Sequence, residues 1–363
     1  MKIGIMTFHN VPNYGAALQA FALKTYLSEL GHDVRLIDYQ CPGNSDEFSP
    51  ESLKSKSRRS GNVVKRIVKS LMYDVLVNKD YCCKYNKFKQ FSDEFYNLEG
   101  YTSDIYNSFD IVFCGSDQIW NPAITKGFKP PYFGGQRDIT KVAASYAASC
   151  GDVSELNENL RSELCTLVRN LDFAGVREKS LYDYLCAQGI ECTYTLDPTF
   201  LLTASDYIEK LHLKMNNEKK YILQYSLRKS DDLDKAAAKV AKEKGLKIID
   251  VCGYIPKKLH RGHFDIGPVE FLEYLYNAEY VVTNSFHGVA LSLNFKKDFN
   301  VCLPVHRKGR IQDLLEMLDL TDRIYSHEKK MATDKIDYEG NSRKLNGSLE
   351  TSKFFISKAL EKV

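Results

Sequence analysis

The chain has 363 residues, 44% of them hydrophobic and 27% charged, with a formal net charge of +3. That length exceeds one ordinary core and suits two domains of roughly 150 to 200 residues, while so small a charge gives no ground for nucleic-acid binding. No run approaches the roughly 20 apolar residues of a membrane span, Met1-Lys2-Ile3-Gly4 does not read as a signal peptide, and ten scattered cysteines without a CxxC pair read as reduced thiols of a cytoplasmic protein.

Strand and helix patterns alternate from the first residue, so the expected class is α/β with parallel sheets. Lys2 to Phe8 predicts a buried strand. Ala16 to Leu30 predicts a helix with Leu18, Phe21, Ala22 and Leu30 on one face and Gly31 as its stop, and Asp33 to Tyr39 a second strand. The loop between them has one glycine, Gly15, and lacks the GxGxxG spacing of a dinucleotide site. Its Asn13 and Tyr14 offer hydrogen bonds and a stacking face to a sugar, or Gly15 merely starts the helix. Lys54 to Lys69 mixes basic and apolar residues, as either a surface for anionic lipid or a solvated helix.

Further strands are expected at Asp110 to Cys114, Val142 to Ala147, Phe173 to Val176 and Tyr194 to Leu196. After Cys114 comes Gly115-Ser116-Asp117-Gln118-Ile119-Trp120-Asn121-Pro122, which gathers polar groups around the only tryptophan. Asp117 there is placed to deprotonate a hydroxyl and Trp120 to pack on a sugar ring, or the pair is a capping acid beside a core indole. Arg177, between a short strand and the helix Leu181 to Gln188, reads as an anion clamp or as half of a surface pair with Glu178. Asp197, before proline, reads as a turn residue.

A polar stretch from Leu211 to Lys220 suits a linker, after which the alternation restarts. Strands are expected at Tyr221 to Leu227, Leu246 to Val251, Tyr280 to Thr283 and Phe299 to Leu303. Helices are expected at Asp231 to Lys244, Pro268 to Ala278, after Ser285, and at Ile311 to Leu318. Thr283-Asn284-Ser285-Phe286-His287-Gly288 joins a buried strand to a helix start, where amide N–H groups favour an anion and an imidazole can move a proton. The plainer alternative makes Ser285 an N-cap and His287 a packed side chain. Arg307, Lys308 and Arg310 form a cationic loop on the same side. No HExxH, GxSxG, Walker A or paired-cysteine pattern occurs, so neither metal nor cofactor is expected.

Asn13-Tyr14-Gly15-Ala16-Ala17-Leu18-Gln19, Gly115 to Pro122, Val176-Arg177-Glu178, Leu196-Asp197-Pro198-Thr199-Phe200 and Ser285-Phe286-His287-Gly288, in that order, resemble the polysaccharide pyruvyltransferase family over residues 1 to about 320. The resemblance implies two Rossmann-like domains facing a cleft, similar to GT-B glycosyltransferases. The domains would be 1–205, on the acceptor side with Arg177, and 206–345, on the donor side with His287, followed by a C-terminal helix, 346–363. It implies phosphoenolpyruvate as co-substrate and a pyruvate ketal formed on two hydroxyls of a lipid-linked or polymeric glycan, in capsular, exo- or cell-wall polysaccharide synthesis at the inner membrane face.

In the family, an arginine matching Arg177 and an Arg-X-His segment matching Ser285-Phe286-His287 bind the donor. Here Ser285 replaces the arginine, and Arg307 or Arg310 is the expected source of the missing charge. His287, Asp117 and Arg177 are the candidate catalytic residues. His287 would serve the proton or the phosphate, and Asp117 a sugar hydroxyl, two roles open to exchange. Asn13, Tyr14, Gly15, Ser116, Gln118, Trp120, Asn284, Ser285, Gly288, Arg307 and Arg310 are the candidate substrate contacts. A nucleotide-sugar GT-B glycosyltransferase and an inactive glycan-binding relative are the competing readings.

Overall fold

The computed structural model describes residues 1–41, 78–138, 140–216, 220–228, 230–252, 263–304, 309–327 and 331–363. Lys54 to Lys69 and the pair Arg307 and Lys308 lie outside them.

Short runs of buried apolar residues make two parallel sheets. The first contains β1 (Lys2–Met6), β2 (Asp33–Asp38), β3 (Leu98–Gly100), β4 (Ile111–Cys114), β5 (Val142–Ala148), β6 (Phe173–Val176) and β7 (Thr193–Tyr194), in the order β3-β2-β1-β4-β5-β6-β7. The second contains β8 (Tyr221–Ser226), β9 (Lys247–Cys252), β10 (Tyr280–Thr283) and β11 (Asp298–Val301), in the order β11-β10-β8-β9. Every pairing of named strands is parallel. This is the α/β class with parallel sheets that the alternating pattern predicts, in the two Rossmann-like halves that the resemblance implies, and parallel order places the carboxyl ends of all strands in a sheet along one edge.

The first helix, Tyr14–Glu29, starts where the Asn13 side chain accepts from the amides of Gly15 and Ala16. The expected single apolar face is not what forms, because every residue from Tyr14 to Leu23 is buried. The helix lies between its own sheet and the second half, so its whole circumference is covered. Tyr14 shows why: its ring stacks on Phe271 at 4.6 Å, and its hydroxyl donates to the carbonyl of Ile266 at 3.3 Å. One buried apolar cluster accordingly includes Ile3, Leu36 and Phe113 of the first half together with Leu223, Val281 and Phe299 of the second.

The last helix runs from Tyr338 to Glu361, beginning ahead of the expected 346 because Asp337 caps it. It returns to the first sheet. Ser352 Oγ accepts from the amide of Leu196 at 2.9 Å, and the Phe355 ring packs against Gly175, where an added Cβ would lie 2.9 Å from it. Among the described residues, no helix is long and apolar enough to cross a membrane.

Candidate active site

The carboxyl edge of the first sheet lines up polar residues in strand order. Asp38 ends β2, Thr7 and His9 follow β1, Ser116 and Asp117 follow β4, Ser149 follows β5, and Arg177 and Glu178 follow β6. Arg177 is 4% exposed, yet its guanidinium is surrounded by acids. Nη1 reaches Asp197 Oδ2 at 2.5 Å and Ser116 Oγ at 3.2 Å, Nη2 lies 3.5 Å from Asp117 Oδ1, and Nε is 3.9 Å from Glu178 Oε1. Burial opposes the charge on Arg177, but Asp197, Glu178 and Asp117 outweigh it and raise the guanidinium above its ordinary value.

The second half supplies the other wall. Ser285 caps the helix Phe286–Asn294, its hydroxyl accepting from the amide of Gly288, so His287 falls in the first turn. His287 Nε2 lies 3.6 Å from Asp197 Oδ2, within ion-pair range but longer than a direct hydrogen bond. Behind the ring there is no room: a Cβ on Gly15 would sit 2.0 Å from His287 Nδ1. Phe286 lies beneath two cations, with Arg177 Cζ 5.1 Å and Arg310 Cζ 5.4 Å from its centroid, a cation–π arrangement. Arg310 Nε is in turn 3.7 Å from Glu178 Oε1. Burial and the neighbouring Arg177 lower the Arg310 guanidinium to about 10, which leaves it charged at neutral pH.

Arg177 and His287 therefore come from opposite halves and meet at a common carboxylate. The surroundings differ from a purely cationic cleft, since three acids already face the two guanidiniums. Arg177 Nη2, Arg310 Nε, His287 Nε2 and Glu178 Oε2 are buried and make no hydrogen bond. The three nitrogens are donors that an incoming anion would complete, whereas the Glu178 oxygen is an acceptor.

The remaining candidates divide by what they touch. Ser116 joins Arg177 to Asp197, to which its hydroxyl donates at 3.1 Å. Gly15 fits His287, and Gly288 leaves space for Thr283, whose Oγ1 would be 2.3 Å from a Cβ there. Asn13 and Ser285 are helix caps. Asn284 braces the loop after β8, accepting from the amide of Leu227 at 2.8 Å and donating to the carbonyl of Arg228 at 2.7 Å. Gln118 accepts from Asn121 Nδ2 at 2.7 Å.

Two expectations need correction. Trp120 is fully buried, stacked 5.0 Å from Phe133 with its indole N–H donating to Tyr132, and Tyr14 is fully buried in the seam between the halves. Neither ring offers a face to a sugar. Arg307 lies outside the described residues, whereas Arg310 stands at the site.

Sequence reasoning missed Asp197, Glu178 and Phe286 as site residues. Asp197 is the turn residue it was read as, since Oδ1 accepts from the amide and hydroxyl of Thr199 at 3.0 and 2.8 Å. Its other oxygen, Oδ2, serves Arg177, Ser116 and His287. The available signal was that Asp197 and Glu178 sit inside two of the five resemblance motifs.

Glu178 gives a test by titration. Its carboxyl is raised above the ordinary value by burial, although Arg177, Arg310 and a 2.5 Å hydrogen bond from Ser149 pull the other way. A carboxyl with a raised folded value loses stability as pH climbs from the unfolded value, about 4.3, through the folded one. Glu178→Gln, which can still accept from Ser149, is therefore expected to melt roughly 1–3 °C above the wild type at pH 7 and alongside it below about pH 4. Thermal melts at the two pH values check this.

No curated protein matches the sequence. Among solved structures, the chain is similar to the UDP-GlcNAc 2-epimerase from Neisseria meningitidis bound to UDP-GlcNAc, at 11% identity over 99% of this chain and 100% of that one, TM-score 0.48. It is also similar to the Streptomyces sp. SF2575 glycosyltransferase SsfS6 complexed with thymidine diphosphate, at 12% identity over 100% of both chains, TM-score 0.43. The family model for polysaccharide pyruvyl transferase matches residues 13–303, a span that takes in Arg177, Asp197 and His287, and the chain belongs to that family.

Proposed function

We propose that the protein transfers the three-carbon unit of phosphoenolpyruvate onto two hydroxyls of one sugar, giving a pyruvate ketal and inorganic phosphate. The observation that carries this reading is the convergence of Arg177, Arg310 and His287 on Phe286 and Asp197, with unsatisfied donors facing inward. The two guanidiniums suit the carboxylate and phosphate of the donor. Glu178, already inclined towards its neutral form, takes up a proton as the anion arrives and releases Arg310.

The chemistry then balances without a further reactant. His287 Nε2 delivers a proton to the methylene carbon, which becomes the methyl group, and positive charge develops at C2. A sugar hydroxyl attacks C2 while Asp117 accepts its proton. The C2–O bond to phosphate breaks, the second hydroxyl adds at the same carbon, and its proton leaves on phosphate. Of the two hydroxyl protons, one restores the acid and the other departs with the product.

Phosphate release from phosphoenolpyruvate in the presence of glycan acceptors, with a new ketal methyl resonance in the product, tests the reading. Phosphate release without that resonance would overturn it. Arg310→Ala is expected to raise the KM for phosphoenolpyruvate about 10–100-fold, the loss of one charge-assisted contact. An unchanged KM would remove Arg310 as the replacement for the arginine missing at Ser285.

A further inference from the structure

A cavity of about 160 Å³ opens beside β2, with no residue of the Arg177 cluster in its lining. Among its lining residues, His9, Asn10, Asp38 and Gln40 form a connected network. His9 Nδ1 meets the carbonyl of Thr7 at 3.1 Å, so that nitrogen carries a proton, and Nε2 meets Asp38 Oδ1 at 3.0 Å. Gln40 donates to the same Asp38 oxygen and accepts from Asn10 at 2.5 Å. Val11, Pro12, Phe88 and Leu98 add apolar surface to the lining.

A lining that mixes hydrogen-bonding and apolar groups suits a sugar ring, which has hydroxyls at its rim and C–H groups on its faces. Charge points the same way. The lining holds one lysine, Lys89, and two acids, Asp38 and Asp93, which favours a neutral hydroxyl-rich guest over an anion. The His9 side chain is 2% exposed, while the Asp38 side chain is 35% exposed and lines the cavity. The hydrogen bond from His9 holds the Asp38 carboxyl below the usual range, so it stays an acceptor for sugar hydroxyls.

Position connects the cavity to the reaction centre. In the sheet order, β1 separates β2 from β4, so Asp38 and Asp117 follow strands two places apart, about 10 Å. Thr7 joins them: its carbonyl meets His9, and its hydroxyl donates to the carbonyl of Ser116 at 2.9 Å. We infer that this cavity is a subsite for a second sugar of the acceptor glycan, adjoining the unit held at Asp117, an inference that rests on the pyruvyl-transfer reading.

The test uses p-nitrophenyl glycosides of glucose, galactose, mannose and N-acetylhexosamines as mono- and disaccharides, with wild type, Ser92→Trp, which fills the cavity, and Gln40→Ala, a milder change. Each variant is first checked by thermal melt. The wild type is expected to favour a disaccharide over its monosaccharide in kcat/KM, and the ratio to fall about 10-fold or more in both variants. A ratio unchanged in the folded variants would overturn the subsite. Saturation-transfer NMR without donor separates the two ideas. Disaccharide binding by the wild type that is lost in Ser92→Trp supports the subsite even if no phosphate is released, a result that would sink the transfer reading alone. Absence of disaccharide binding in the wild type would overturn the subsite itself.

Discussion

Arg177→Ala is expected to destabilise the fold by about 3–5 kcal/mol, the usual cost of leaving a buried charge without its partner, and to abolish measurable turnover of phosphoenolpyruvate. The charge left behind is Asp197. Burial works against that carboxylate, but His287, then Arg177 and the amide of Thr199, outweigh burial and hold it far below the ordinary range. With its folded value depressed below the unfolded value of about 3.9, its stabilising contribution is complete above that pH. It is lost as pH falls from there through the folded value. Removing Arg177 weakens the depression, so the acid-unfolding midpoint should move to higher pH. Circular dichroism during acid titration, with urea melts at pH 7, reads both effects. Arg177→Lys separates fold from function: it retains a positive charge for Asp197 but lacks the planar fork, so it should recover much of the stability and little of the donor affinity. A stable Arg177→Ala protein with normal turnover would contradict the site as described.

His287→Asn is expected to lower kcat by about 10²–10⁴-fold, the range for losing one positioned proton-transfer group, with a smaller change in the KM for phosphoenolpyruvate. That division follows from geometry. In the proposed reaction Arg177 and Arg310, over Phe286, are the anion contacts, whereas Nε2 of His287 is the ring nitrogen facing the cluster without a hydrogen-bond partner. If the KM rose instead while kcat held, His287 would be a phosphate contact. Turnover in heavy water, followed by mass analysis of the ketal methyl, distinguishes it from Asp117. Loss of His287 should suppress methyl deuteration and phosphate release together.

Most of the architecture was legible because buried parallel strands are short continuous apolar runs. Phe173–Val176 and Tyr280–Thr283 fall where the pattern places them, as does the helix Asp231–Lys244, with acids in its first turn and Gly245 at its end. What escaped the pattern was whatever depends on the opposite half of the chain. Tyr14 looks like an exposed recognition residue in its polar loop, and only the position of Phe271, distant in sequence, shows that it is core. Trp120, among Ser116, Asp117, Gln118 and Asn121, misleads in the same way. Asp197 is the converse, a residue whose local duty as a turn cap hides a second oxygen aimed elsewhere. Leu98–Gly100 went unread because three residues carry too little periodicity to register.

The contact between Gly15 and the imidazole at 287 bears on how catalysis would start. A ring with main chain against one edge and a carboxylate opposite the other has little freedom to turn, so its orientation is set before any substrate enters. The reorganisation that a loosely held proton donor would require at each turnover would thereby be completed once, during folding. By the same token, the two halves are not interchangeable modules, because the glycine of one is shaped to the side chain of the other.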